Sequence, residues 1–171
     1  RKNKRGFIMT IKENTLEITS KSFDNNSFIP KRHTGFGEDI SPPFTISGLS
    51  KNAASIAIVM DDLDIPFIKA FNHWIIWNIP AVNEIPENMP HGKLVAALGN
   101  AKQGIGYGRN QYKGPKQPFF IRNCHRYIFH IYALDCFLNL SPDSKKKDFL
   151  TAANGHIIQY GHITGIYKRG N

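Results

Sequence analysis

Three acids stand together in Asp61-Asp62-Leu63-Asp64-Ile65-Pro66, where the apolar run Ser55-Ile56-Ala57-Ile58-Val59-Met60 ends. Burial there raises a carboxyl's pKa unless a donor or a cation pairs with it, so these acids need partners. Two histidines open later apolar runs, in Asn72-His73-Trp74 and Cys124-His125-Arg126-Tyr127. Residues two apart on a strand share a face, which sets His125 beside Tyr127 and sends Arg126 to the other side. If the runs are neighbouring strands, His73, His125 and Tyr127 converge with Asp62 or Asp64. Imidazoles and a phenol around a carboxylate can exchange protons or hold an oxyanion.

Each residue also has a plainer use. A strand-end Asp commonly caps a turn, so Asp61 is expected in solvent and Asp64 in a structural hydrogen bond. Arg126 is expected to pair with a carboxylate on its own face. His33, His91, His130, His156 and His162 read as ordinary hydrogen-bonding residues. Asp62, Asp64, His73 and His125 have ligand types suited to zinc or iron, but no H-E-x-x-H or His-x-His spacing supports a metal. Cys124 and His125 are adjacent and point to opposite faces of a strand, which argues against a Cys-His nucleophile. Gly104-Ile105-Gly106-Tyr107-Gly108 has neither the G-x-G-x-x-G spacing nor a Lys-Ser/Thr ending, so no nucleotide fingerprint is present.

The elements that position these groups are mostly strands. Phe7–Ile11 and Leu16–Thr19 read as a first pair, followed by a loop-like stretch from Asp24 to Pro43. The runs at 55–60 and 74–79 are too short for buried helices and β-branched enough for central strands covered on both faces. His125 to Leu134 reads as a third. Between Pro86 and Phe119 lie six glycines and four prolines, the mark of long irregular loops on a β scaffold. Ser141-Pro142-Asp143 offers a helix start and Asn154-Gly155 a stop, predicting a helix over Ser144–Ala153. A second helical turn is expected around His156–Tyr160, then a closing strand at Ile163–Tyr167. The whole is one layered, mainly β domain over residues 1–171.

Hydrophobic residues make up 41% of the 171 and charged residues 20%, and no apolar stretch is long enough for a membrane-spanning helix. The net charge of +9 sits largely at the ends. Arg1, Lys2, Lys4, Arg5, Lys168 and Arg169 account for six of the 22 basic residues, leaving 16 against 13 acids between them. The tail at 1–5 should fray, and the rest is too evenly charged for a specific nucleic-acid groove. Cys124 and Cys136 flank one strand. Twelve steps at about 3.3 Å separate them by roughly 40 Å, far beyond the ~7 Å a disulfide allows. Two free thiols favour the cytoplasm.

The ordered motifs resemble the phosphatidylethanolamine-binding protein family, in its bacterial Raf-kinase-inhibitor-like branch. Gly37-Glu38-Asp39-Ile40-Ser41-Pro42-Pro43-Phe44 resembles the family's G-x-D-x-S-P-P-L stretch, and Asp62-Leu63-Asp64-Ile65-Pro66 its D-P-D-A-P box. His73-Trp74-Ile75-Ile76-Trp77-Asn78-Ile79-Pro80 is similar to the H-W-x-x-x-N-I-P strand. Gly114-Pro115, His125-Arg126-Tyr127 and Tyr132-Ala133-Leu134-Asp135 follow the G-P…H-R-Y…Y-A-L-D segment. The resemblance implies an antiparallel-type β-sandwich whose pocket, lined by Asp62, His73, Gly114, Pro115, His125 and Tyr127, binds phosphate or a phospho head group. Asp64, Pro66 and Arg126 would support it.

Such a domain would be a small-anion binding module of regulatory role, needing no cofactor and no metal; a homodimer is compatible with the sequence. The alternative is a phosphate- or acyl-ester hydrolase using Asp62, His73 and His125 as acid and base. Within the pocket, Asp62 is expected to accept a hydrogen bond from His73. Departures from the family pattern fall on the rim. Leu63 replaces the box proline, which should loosen that turn, Ile46 stands where many members have Trp, and Lys116-Gln117-Pro118 replaces a cysteine-and-proline run.

Overall fold

The structure, a computed structural model, describes residues 15–170. The strand expected at Phe7–Ile11 and the basic tail at 1–5 lie outside the described residues. In chain order the elements are β1 (Glu17–Thr19), β2 (Ser27–Phe28), β3 (Phe44–Ser47), β4 (Ser55–Asp62), β5 (Phe71–Pro80) and β6 (Glu84–Ile85). They continue with β7 (Leu94–Val95), β8 (Ala101–Gln103), β9 (His125–Leu134), the helix α1 (Lys146–Ala152) and β10 (Ile157–Tyr167). A seven-stranded sheet runs β2-β10-β9-β4-β5-β8-β7, and a three-stranded sheet runs β1-β3-β6. Among the strands of the described residues, only the β2–β10 pairing is parallel. The protein is mainly β, as its composition implies.

Every residue of β4 is buried, and the period-2 alternation shows why. Ile56, Ile58 and Met60 face the small sheet and pack with Ile18, Phe44 and Ile46. Ala57 and Val59 face the other way and pack with Trp77 and with Phe149 of α1. A strand covered on both faces reads as a continuous apolar run. That places Asp61 and Asp62, the last two residues of β4, at a junction where consecutive side chains enter different layers.

The predicted helix over Ser144–Ala153 is present as α1, starting two residues into that range and ending one short of it. Its start is fixed by the Asp148 carboxylate, which accepts the Lys145 backbone N–H at 2.9 Å. Ser141-Pro142-Asp143 forms a turn ahead of it, with Ser144 N–H bonded to the Ser141 carbonyl at 3.0 Å. The second helical turn expected at His156–Tyr160 is instead the start of β10, which pairs with β9 from Ile157↔Leu134 to Tyr167↔His125. The long ladder beside β9 overrides the second helical turn expected there. One bulge at Ile157/Gln159 adjusts the register.

Cys124 and Cys136 lie beyond opposite ends of β9 and are both free thiols. Among the described residues no helix is long and apolar enough to cross a membrane.

The layered packing makes Phe149, fully buried between α1 and the large sheet, the residue that holds the helix down. Phe149→Ala should lower stability by about 3–5 kcal/mol, whereas Phe119→Ala, at a ring 72% exposed, should change it by less than about 0.5 kcal/mol. Urea denaturation checks both. Equal effects would mean that the helix does not close this layer.

Candidate functional site

Four of the sequence-predicted residues meet at the β4–β5–β9 end. Asp62, His73, His125 and Tyr127 are 1%, 5%, 2% and 2% exposed, too deep for any polar atom to rely on bulk water. Asp62 pairs in register with Tyr127 across β4–β9. Tyr127 and His125 share a face, so the imidazole leans over the carboxylate. His125 Nδ1 donates to Asp62 Oδ2 at 2.7 Å, because a carboxylate can only accept. Asp62 Oδ1 takes the Asp64 backbone N–H at 2.9 Å. The pKa of Tyr127 is raised far above normal by burial, then by the charge of Asp62.

His73 reaches the cluster through a bulge. Met60 pairs with Trp74 and Asp61 with Asn72, so His73 is the extra residue in β5. A bulge re-aims the side chain at the extra position. His73 and Trp74, consecutive in sequence, therefore both turn towards the space between the sheets. The His73 ring stands edge-on to Tyr127 at 5.2 Å and to Tyr107 at 5.2 Å. The expected His73–Asp62 hydrogen bond is absent. The Lys113 carbonyl accepts from His73 Nδ1 at 2.9 Å instead, and His125 takes the carboxylate. Burial lowers the pKa of His73, against the Lys113 hydrogen bond and the charge of Asp62, which raise it.

Gly114 and Pro115 stand behind the cluster rather than along its cavity. The Gly114 N–H is engaged by Asp39 Oδ1 at 2.7 Å, and the Pro115 carbonyl accepts Gly35 N–H at 2.8 Å. Gly114 is dictated by space, since a Cβ there would lie 2.1 Å from the His33 carbonyl oxygen. The pair thus fixes the loop whose Lys113 carbonyl orients His73. Asp64 supports from the outside: it accepts the Arg126 backbone N–H, Nε and Nη2 at 2.8, 2.9 and 2.8 Å, and those hydrogen bonds hold its carboxyl below the usual range. Pro66 lies in the exposed turn after β4. Leu63 does not loosen the box; its N–H, which proline lacks, bonds to the Arg126 carbonyl at 2.9 Å and prolongs the β4–β9 ladder.

Asp62, His73, His125 and Tyr127 line a cavity of about 190 Å³ closed by Phe71, Tyr107, Lys116, Pro118 and Ile121. Tyr107 belongs to the glycine-rich segment, where Gly108 bonds to the His73 carbonyl at 2.9 Å and a Cβ would lie 1.9 Å from the Gln111 carbonyl oxygen. Nothing in the sequence marks Tyr107 or Phe71 as wall residues except their nearness to that loop and to His73. Inside, His125 Nε2 is buried with no partner among the described residues.

The sequence profile described as phosphatidylethanolamine-binding protein matches residues 19–168. This chain belongs to that family. A UPF0098 protein of Pyrococcus horikoshii is 44% identical over 156 residues, which is 91% of this chain and 77% of the relative. A crystal structure of a putative phosphatidylethanolamine-binding protein homologue from Chlamydia trachomatis superposes with a TM-score of 0.78 at 30% identity, covering 92% of this chain and 99% of the other. Escherichia coli YbcL, described as a new member of the mammalian family, gives 0.78 at 25%, covering 90% and 98%. The family's fold is therefore the frame that sets β4, β5 and β9 side by side.

Asp61, expected in solvent, is 1% exposed on the face away from Asp62. It accepts Asn72 Nδ2 at 3.1 Å and Lys146 Nζ, and lies 3.5 Å from His130 Nε2. Burial alone would raise its carboxyl, but His130 and Lys146 outweigh it and hold the pKa below normal. His33 is likewise buried, with Nδ1 on the Ile40 carbonyl and Nε2 on Ser22 Oγ, both at 2.9 Å, and burial lowers its pKa.

With the folded pKa of His73 and His33 lowered, the unfolded chain binds more protons below about pH 6.5. Their contribution to stability is present above that value and is lost as pH falls through and below it. The melting temperature of the ligand-free protein should drop between about pH 7 and 5.5, less steeply in His73→Gln and His33→Gln. A slope unchanged by both substitutions would contradict these environments.

Proposed function

We propose that the cavity binds a small anion, a phosphate or the phosphoryl of a head group, and that the protein is a single-domain binding or regulatory module. The observation that carries this reading is the buried, unpartnered Nε2 of His125. A buried polar atom without a partner costs about 1–3 kcal/mol, which a ligand oxygen would recover by accepting a proton from it. Asp62 fixes the ring so that Nε2 is the nitrogen left for the ligand. His73, tied at Nδ1, offers its Nε2 in the same way, and Lys116 adds positive charge at the mouth. Asp62 repels an anion little, since its oxygens already accept from His125 and Asp64.

An imidazole tied by one nitrogen to an acceptor donates with the other only when doubly protonated. Burial opposes that state at His73, so the anion and the proton must enter together. The hydrolase alternative finds less support: among the described residues no Ser, Thr or Cys lines the cavity, and Tyr127 is far from ionising. Two free thiols fit a cytoplasmic setting.

Calorimetry of phosphate and phosphorylethanolamine between about pH 5.5 and 8.5 tests this, with affinity expected to fall as pH rises through the histidine range. His125→Ala should remove a charge-assisted donor worth about 1.5–3 kcal/mol, a loss of roughly 10- to 150-fold in affinity. Asp62→Asn should shift the pH profile rather than abolish binding. Affinity flat in pH and indifferent to His125→Ala would show these residues to be structural.

A further inference from the structure

At the far end of β9 from the anion cavity, Asp135, Cys136 and His156 bring a carboxylate oxygen, a thiol sulfur and an imidazole nitrogen within 4.8 Å of one another. Asp135 and Cys136 follow the last residue of β9, and His156 precedes the first residue of β10. Two backbone features hold the trio together. Ile157 pairs with Leu134, and the Asp135 N–H bonds to the His156 carbonyl at 3.0 Å. The Ser55 hydroxyl donates to the Cys136 carbonyl and fixes the turn from below. No part of the anion site uses these side chains.

We propose that Asp135, Cys136 and His156 form a three-ligand site for a thiophilic divalent transition-metal ion of the Zn²⁺ class. One hard oxygen, one borderline nitrogen and one soft sulfur exclude Mg²⁺ and Ca²⁺, which want oxygen shells, and suit Zn²⁺ with a water in the fourth position. Bond lengths of about 2.3 Å to sulfur and 2.0–2.2 Å to nitrogen and oxygen set tetrahedral donors roughly 3.3–3.6 Å apart. His156 Nδ1 and Asp135 Oδ1 now stand 2.8 Å apart in a hydrogen bond and must open slightly. The thiol must close by about 1.3 Å at most. Both are adjustments of side chains at the surface, His156 being 48% and Asp135 35% exposed. On binding, the thiol releases its proton to solvent, and the imidazole keeps one proton on the nitrogen that faces away from Asp135. The ion would close the open end of the β9–β10 pair, as a hydrogen bond does now.

Cys124, exposed at the other end of β9, is an internal control that needs no variant. The experiment is alkylation of the native protein with iodoacetamide, with and without equimolar Zn²⁺, read at each cysteine by peptide mass spectrometry. Zn²⁺ should slow modification of Cys136 at least about tenfold and leave Cys124 unchanged, and a chelator should reverse the protection. His156→Ala, at an exposed ring, should abolish the protection. Equal rates at Cys136 with and without Zn²⁺, equal protection of both cysteines, or protection that persists in His156→Ala would each overturn the site.

Discussion

The structure turns on one buried charge. Asp62 sits 1% exposed at the end of a central strand, where an unpaired carboxylate could not survive. Its solution is to collect donors from two sides, the His125 ring and the Asp64 amide. Each donor then has its own position fixed. The Asp64 amide can reach Asp62 only if the chain turns sharply after β4, and that turn presents the Asp64 carboxylate to Arg126. The His125 ring can reach it only if β9 stays in register, which the Leu63 amide helps to enforce.

The neighbouring acid solves the same problem on the opposite side. Asp61 enters the layer covered by α1 and is held by Lys146, His130 and Asn72. Two consecutive carboxylates thus tie three layers together, one through strand-to-strand contacts and the other through strand-to-helix contacts. Such buried pairs add little net stability compared with apolar packing, but removing one partner leaves a charge stranded at a cost of about 3–5 kcal/mol. Their effect is to make β4, β5, β9 and α1 fit in one arrangement only, and the cavity exists where that arrangement leaves His125 Nε2 without a partner.

Much of this was legible in the sequence because it depends on local pattern. The uninterrupted apolar run of β4, the aromatic run of β9 and the alternation of His125, Arg126 and Tyr127 announce strands and faces. That Arg126 pairs with a carboxylate on its own face follows from charge and parity; that the carboxylate is Asp64 comes from the structure. What could not be read depends on contacts distant in the chain. The bulge at His73 exists only as a register between β4 and β5. The choice of His125 over His73 as the partner of Asp62 follows from the Lys113 carbonyl, forty residues beyond His73. Asp61 looked like a turn residue because Lys146, eighty-five residues later, is its counter-charge. Ile157 to Tyr160 carried a weak helix signal that the long partner strand overrode.

The account rests on His125 being tied at Nδ1 and free at Nε2, with the anion supplying the missing partner. Nitrogen NMR of the histidine rings, followed through a phosphate titration near neutral pH, tests this directly. His125 Nδ1 should be protonated throughout, and its Nε2 signal should move to the protonated, hydrogen-bonded position as phosphate saturates. A His125 Nε2 signal that stays put while phosphate binds elsewhere, or a ring whose Nδ1 carries no proton, would contradict the account.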